Sequence, residues 1–416
     1  MTELLPGLDG PAPKGHFAGT HRLVAPEETL ARVAPSLRTM GITRIANVTG
    51  LDCIGIPVVM VCRPNSRSLA VSQGKGLTLA AAKASGVMES VESFHSERID
   101  APLRLASYEE LRRRHRVVDV DELPKRRKSR FHPHLPLLWI EGFDLIESEP
   151  IWLPYELVDL NFTLPLPSGI GCFAQTSNGL ASGNHLLEAI SHAICELVER
   201  DATTLFGLRP EEARGESRID LDTVDDAGCR WVLERFAPAG VEVAVWETTS
   251  DIGLPSFSCK ITERSEGRLR RLGPGGGFGC HPERGVALLR ALTEAAQGRL
   301  TLIAGSRDDM RPQDYDEARN LDTLRGVRAA MAHDGPKRDF AQAPTSAGAT
   351  FEEDVRWELE RLKAVGISRV VLVDVTRREL GLPVARVVAP GIEGHAGSGR
   401  NYAPGRRARA MLESRR

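Results

Sequence analysis

Residues 177–206 read SNGLASGNHLLEAISHAICELVERDATTLF, and the rest of the chain is best approached from this stretch. Small residues and two glycines, Gly179 and Gly183, lead into a run whose apolar positions (Leu187, Ala189, Ile190, Ala193, Ile194, Leu197, Val198) recur at helical spacing. At about 100° of rotation per residue, Glu199 lies ~20° from Glu188, His192 ~40° and Glu196 ~80°. One stripe of the helix therefore gathers three carboxylates. Like charges so placed repel unless water or a cation compensates them. Taken alone, the pattern is that of a solvated acidic face, so the choice between surface and site falls to the flanking chain.

The 416 residues are 41% hydrophobic, enough to bury a large core, and length alone suggests two or three domains. A net charge of -2 offers no global attraction to nucleic acid or to a membrane. No run approaches the ~20 apolar residues of a membrane span, and residues 1–40 lack the pattern of a secretion signal, so the expected compartment is cytoplasmic. Seven cysteines (Cys53, Cys62, Cys172, Cys195, Cys229, Cys259, Cys280) are scattered without a C-x-x-C pair, which argues against a zinc ribbon and a disulfide scaffold. Each is expected to be a small buried hydrophobe. Cys280, in a glycine-rich segment ahead of a helix, has the setting that best suits a thiolate.

Two patterns recur on either side of the opening stretch. The first is a strand, a polar connection, a G-x-P step and a second strand. It occurs at residues 42–62 around Gly55-Ile56-Pro57, at 241–261 around Gly253-Leu254-Pro255, and at 370–388 around Gly381-Leu382-Pro383. The first and last copies share a lead-in, GITR at 41–44 and GISR at 366–369, which signals internal duplication. The second pattern is a glycine-rich turn feeding a helix: SQGKG at 72–76, residues 177–184, and GGGFG at 275–279. Each helix sets charges three or four residues apart: Glu89 and Glu92; Glu188, Glu196, Glu199 and Arg200; Arg290 and Glu294. Together these units describe an α/β (α+β) protein, mixed sheets flanked by helices in a single compact body. Residues 1–40 are expected to form an arm with a short helix, and residues 41–416 the main domain, including a C-terminal tail that folds back. RRRHR at 112–116 and KRRKSR at 125–130 make a basic cluster, read either as a solvated loop or as a dock for an acidic peptide.

Backbone N–H groups of a glycine-rich turn at a helix N-terminus favour an anion, yet SQGKG lacks Walker spacing and GGGFG lacks the dinucleotide fingerprint. Carboxylates gathered without clustered histidine or cysteine favour a hard cation, and magnesium binds through a few carboxylates plus phosphate oxygens. The combination describes an ATP-magnesium site. His192 and His281 are expected to be packed residues, since a lone histidine defines no metal site.

The runs S-N-G-L-A-x-G-N and E-A-x-x-x-A-x-x-E-x-x-E-R-D-A, with the later R-A-L-T-E-A-x-Q-x-R and G-S-R-D-D, resemble the YcaO family. Residues 42–92 resemble more narrowly its branch encoded beside TfuA-type partners. The resemblance implies a YcaO-like fold and ATP-dependent activation of a peptide backbone amide: a nucleophile adds to the amide carbon, the oxyanion is phosphorylated, and phosphate leaves. A sulfide donor as nucleophile gives a thioamide, the product linked to the TfuA branch, whereas a Cys, Ser or Thr of the substrate gives an azoline. It further implies that Glu89, Glu92, Glu188, Glu196 and Glu199 hold Mg2+ and triphosphate. Asn184, Arg200, Arg290 and Glu294 match ATP-site positions, and Ser72 and Lys75 line the nucleotide pocket. It points to no catalytic base.

Expected partners are a TfuA-type protein, a peptide or protein substrate and a sulfide donor, and because members are often dimers a homodimer is among the expectations. The ending ARAMLESRR departs from the proline-rich terminus of many azoline-forming members. Residues 1–40 are too short to recognise a leader peptide, so recognition is expected from a separate protein. The competing readings are an azoline-forming cyclodehydratase, an accessory factor in ribosomal-protein methylthiolation, and an ATP-independent binding protein.

Overall fold

Each G-x-P step opens the second strand of an antiparallel hairpin, and the hairpins repeat with a helix before them. The computed structural model describes residues 12–167, 169–264, 272–332, 335–394 and 403–414. In the first unit α1 (Pro26–Val33) precedes β1 (Arg44–Asn47), β2 (Val58–Cys62), β3 (Val71–Lys75) and α2 (Leu79–Ser96). Its sheet runs β1-β2-β3, antiparallel throughout. An excursion follows through β4 (Leu103–Ala106), β5 (Leu137–Asp144) and β6 (Glu149–Pro154), and then come β7 (Leu180–Ser182) and α3 (Leu186–Leu208). The first pattern returns as α4 (Ala227–Phe236), β8 (Val241–Glu247), β9 (Ser256–Glu263), β10 (Gly275–Cys280) and α5 (Arg284–Ala304), with sheet order β10-β9-β8. Finally α6 (Phe351–Ala364), β11 (Val371–Asp374) and β12 (Val384–Val388) precede α7 (Arg406–Glu413).

The last hairpin does not have a third strand after it. β12 pairs instead with β7, matching Val384 to Ser182 and Arg386 to Leu180, within a six-stranded sheet ordered β4-β5-β11-β12-β7 with β6 on β5. The third unit is therefore permuted: its strand and long helix, β7 and α3, come from mid-chain, and its hairpin comes from far downstream. Helices α1 and α2, α4 and α5, and α6 and α3 pack as corresponding pairs.

Glycine has two distinct roles in these units. Gly55, Gly253 and Gly381 have φ of 76°, 80° and 61°, a left-handed backbone that a side chain resists, and the proline two residues on leads into the strand. SQGKG and GGGFG, by contrast, are not turns. They lie in strands β3 and β10, and their glycines allow a helix to lie directly on strand backbone. A Cβ on Gly74 would sit 2.0 Å from the Ala82 carbonyl oxygen of α2, and one on Gly279 would sit 2.1 Å from that of Ala287 in α5. Helices α2, α4 and α6 start from side-chain caps: Thr78 accepts from Ala81 N, Asp226 from Cys229 N and Thr350 from Glu353 N. Each such cap contributes about 1 kcal/mol.

The three long helices are buried on their strand-facing sides. Val59, Val61, Val87 and Val91 form part of one cluster, Ile190, Ile194, Val355 and Val387 part of a second, and Phe257, Ile261, Leu288 and Leu292 part of a third. Each such side chain contributes roughly 1.5–3 kcal/mol on burial. The chain ends bind the same body. Phe351 N donates to Ala12 O at 3.0 Å or less (2.9 Å), and Lys14 pairs with Asp354 at 2.7 Å. Arg407 of α7 pairs with Asp201 of α3 at 2.9 Å. Residues 1–11 of the expected arm, and residues 397–402 and 415–416 of the expected tail, lie outside the described residues. Among the described residues, no helix is long and apolar enough to cross a membrane.

Candidate active site

The helices α2, α3 and α5 bring their charged stripes together, and Glu196 of α3 is the meeting point. Its carboxyl lies in the field of Arg200, Arg386, Arg290 and Glu294, and it acts in turn on Glu89 and Glu92 of α2 and on Glu199. The predicted stripe is thus an inward face shared by three units. Burial pushes the Glu89 carboxyl up to about 7 and that of Glu92 up to about 8, because the charged forms lose hydration. Glu196 and Glu199 are raised by the same cause, with Arg200 opposing. Burial alone would raise Glu294 as well, but Lys75 and Arg200 hold it below the usual carboxylate range.

Several of the sequence-predicted residues are tied to specific partners. Lys75 Nζ bonds Glu294 Oε2 at 2.5 Å, linking β3 of the first unit to α5. Arg200 lies 3.4 Å from Glu199 and 3.6 Å from Glu196. Glu89 accepts from Gln73 N at 3.1 Å, and Glu92 from Ser182 N at 2.9 Å and Ser182 Oγ at 2.8 Å. Arg290 donates to His192 Nε2 at 2.5 Å. Burial and that guanidinium hold the imidazole well below its ordinary pKa, so His192 is a neutral acceptor that orients Arg290. His281, stacked edge-on against His21 at 4.9 Å, is likewise held neutral by burial.

Two predicted residues stand apart from this group. Strand alternation turns Ser72, with Gly74, toward α2, while Gln73 and Lys75 face α5 through Thr301 and Glu294. Ser72 and Lys75 therefore do not share a face. Asn184 donates to Thr29 Oγ1 of α1 at 3.0 Å. Glu188, only 2% exposed, accepts from Leu23 N at 3.0 Å and lies 3.5 Å from Arg22. It anchors the N-terminal arm beside the site.

The structure adds two cations that sequence reasoning did not single out. Arg22 lies among Glu188, Arg290 and Glu92; it went unnoticed because it falls within residues 1–40, the expected arm. Arg386 is 3% exposed on β12. It donates through Nη2 to Thr176 O at 2.7 Å, while its Nε and Nη1 have no partner among the described residues. Burial lowers its pKa to about 10, with Glu196 opposing. An arginine inside the apolar run VARVV was the available sequence signal.

Of the cysteines, Cys172, Cys195, Cys229, Cys259 and Cys280 are buried, Cys62 is half-buried and Cys53 is exposed. The last is an exception to the expected buried hydrophobe. A bond from Cys280, followed by burial, raises the Cys195 thiol well above its ordinary value, which leaves Cys195 far from thiolate chemistry at neutral pH.

Among the described residues, no group of three or more His, Cys, Asp or Glu side chains is drawn together tightly enough to hold a metal by itself. What exists is a row of desolvated carboxylates facing a row of cations, one of them with unpaired donors. A buried guanidinium left unpaired costs several kcal/mol, and proteins keep such groups where a ligand completes them. The arrangement suits a ligand that carries both a cation and anionic oxygens, as a magnesium nucleotide does.

Comparison with known proteins carries the same message. Residues 73–393 match the family model described as YcaO cyclodehydratase, ATP- and Mg2+-binding, and the chain belongs to the YcaO family. ATP and Mg2+ are the cofactors of that family. An uncharacterized protein in the tfuA 3' region of Rhizobium leguminosarum bv. trifolii is 39% identical over 378 residues, covering 89% of this chain and 88% of the relative. YcaO from Methanopyrus kandleri, solved with AMPPCP and Mg2+, superposes with a TM-score of 0.74 at 22% identity, covering 95% of this chain and 99% of that one. A heterocyclase solved in complex with substrate and cofactor has a TM-score of 0.78 at 23% identity over 92% of this chain. This chain spans about half, 54%, of that longer protein. The two structural likenesses show the fold, a mixed α/β body.

The residues present fit the family's cofactors. Glu89, Glu92, Glu196 and Glu199 are carboxylates raised toward neutrality by burial with too little positive charge beside them, and Arg386 has two donors to spare.

Proposed function

We propose that this protein is an ATP- and Mg2+-dependent enzyme that converts a backbone amide of a peptide or protein into a thioamide, using an external sulfide donor and a TfuA-type partner. The observation that carries the ATP site is the buried Arg386, with Nε and Nη1 unpaired, facing the carboxylate row at Glu196. The sulfur assignment rests on the resemblance of residues 42–92 to the TfuA branch and on a relative whose name places it in a tfuA region.

In this reading Glu89, Glu92, Glu196 and Glu199 hold the metal, and Lys75, Arg22, Arg290 and Arg386 receive phosphate and developing oxyanion charge. Glu294 sets the position of Lys75, His192 that of Arg290, and Glu188 that of Arg22. ATP with Mg2+ supplies the phosphoryl group that turns the amide oxygen into a leaving group. The balance is simple: a C–S bond forms at the amide carbon, its C–O bond breaks, and the oxygen departs in inorganic phosphate beside ADP. No oxidant or reductant is needed. Ser72 and Asn184 flank the pocket and shape its wall.

The test is incubation with ATP, Mg2+, sulfide, a TfuA-type protein and peptides encoded nearby, followed by mass spectrometry. Exchange of oxygen for sulfur supports the reading. Loss of water instead assigns azoline formation, and absence of Mg2+-dependent nucleotide binding overturns the enzyme reading altogether.

A further inference from the structure

The six-stranded sheet leaves one long edge open. Among the described residues, β4 pairs only with β5, matching Leu103 to Ile140 and Ala106 to Leu137. Leu103 and Leu105 are 40% and 64% exposed. Arg104, on the opposite side of the strand, donates to His115 at 2.6 Å and lies over the Trp152 ring at 5.2 Å. The neighbouring edge is treated differently: residues 116–118 run along β6, with Trp152 N donating to Arg116 O and Val118 N to Trp152 O. The chain closes the edge of β6 and leaves that of β4 uncovered.

An open edge is a template for strand addition, and proteins usually blunt it with charge. Here positive charge is in excess. Arg113, Arg114, Arg126, Arg127, Lys128 and Arg130 are exposed and make no ion pair among the described residues. Four of the nearby acids are already engaged, Glu109 with Arg112, Glu110 as capping partner of Ser107, Asp121 with Lys125, and Glu149 with Arg116 and Arg369, so the exposed Glu141 of β5 is outnumbered by the cations. The two basic segments adjoin: Glu109 N donates to Pro133 O, the Tyr108 and Phe131 rings lie 6.4 Å apart, and Glu110 feels both Arg113 and His134.

We propose that the β4 edge binds an extended, acidic segment of the polypeptide substrate by strand addition, with Leu103 and Leu105 gripping its alternate apolar side chains. Charge selects the occupant. A second copy would bring two basic strips together, whereas an acidic strand is drawn in. The proposal rests on the reading of the protein as a peptide-modifying enzyme. β4 and β11 pair with successive stretches of β5 on the side opposite β6, Leu103 with Ile140 and Leu372 with Phe143, so β4 continues the row of β11, the strand next to Arg386 on β12. The docking segment and the modified amide occupy separate parts of one substrate.

The probe is a fluorescent decapeptide of alternating Glu and Val, with its Lys-Val counterpart and an oligouridine as controls. The acidic decapeptide should bind the full chain in a salt-sensitive manner, slow hydrogen exchange at residues 103–106, and bind at least about tenfold more weakly to L105E or to R113E/R114E. ATP hydrolysis should be unchanged in both variants. Hydrogen-exchange profiles outside residues 100–135 check that the variants fold. Undiminished binding to both variants overturns the proposal, as does protection of β4 by oligouridine instead, or L105E abolishing self-association instead of peptide binding. If the acidic decapeptide binds β4 as expected but no peptide is ever modified, the dock stands and the proposed reaction fails.

Discussion

The protein buries two arginine–glutamate neighbourhoods and treats them in opposite ways. Arg63, 1% exposed, bonds Glu97 at 2.6 Å, Met40 O at 3.3 Å and Ser90 O at 3.2 Å. Glu97 also accepts from Ser66 Oγ, Ser68 N, Ser68 Oγ and Arg98. Arg386, 3% exposed, has one bond and two idle nitrogens near a carboxylate row that burial has pushed toward neutrality. Burial is the same in both; satisfaction is not. A fully bonded pair has nothing left to offer a ligand, whereas the second neighbourhood keeps donors free for one.

The contrast breaks most readily at Glu97. Glu97→Ala should cost about 3–5 kcal/mol of stability by stranding Arg63, read by urea denaturation, while ATP turnover per folded molecule stays unchanged. Next comes pH, where the two regions should respond with opposite signs. Burial opposes Glu97, but Arg63 and its hydroxyl partners lower its pKa, so its contribution is present above the unfolded value and lost as acid titrates it. Glu89 and Glu92 are raised to about 7 and about 8, so between the unfolded value and those limits the native state holds the extra protons. Their contribution is present at low pH and lost as pH rises. Mg2+ must displace those protons, so its apparent affinity in calorimetry should climb by up to about a thousandfold from about pH 6 to about pH 9, and the climb should flatten in E89Q/E92Q.

Arg386→Gln should lower ATP turnover by about a hundredfold, the usual scale for losing one preorganised donor, with a melting temperature that holds or rises. A large fall in melting temperature would place Arg386 with Arg63 as structural. The smallest effect should come from Arg32→Ala, whose partner Glu28 and itself are 53% and 43% exposed. That pair should change stability by less than about 0.5 kcal/mol, which sets the baseline for ion pairs that water already satisfies.

Much of the fold could be read from the chain because its signals were local. Gly55, Gly253 and Gly381 each need left-handed backbone within a few residues of a proline, so the hairpins announced themselves three times. The segments 72–76 and 275–279 misled for an equally physical reason. Glycine permits a tight turn, and it also permits backbone to press against a helix, and nothing local distinguishes the two. Only the placement of Ala82, Gly86, Ala287 and Ala291 opposite Gly74 and Gly279 does so. The acid stripe of α3 was visible as a period, and the cofactors followed from it and the family motifs. Arg22 gave no signal, and Arg386 gave only that of an arginine within an apolar strand, since both reach the site through long-range packing, one from an arm and one from a strand near the far end of the chain.

The permuted third unit bears on how the protein comes into being on the ribosome. The first unit is encoded contiguously, so α1 to α2 can settle as it emerges. Helix α3, which carries Glu196 and Glu199, emerges early too, but its hairpin, residues 371–388, is translated almost two hundred residues later. Until then α3 has no sheet beneath it beyond β7, and Arg386 does not yet exist opposite Glu196. A nascent chain can therefore fold its first unit before the three-helix site exists, and on the proposed reading nucleotide binding becomes a sign that synthesis has passed β12.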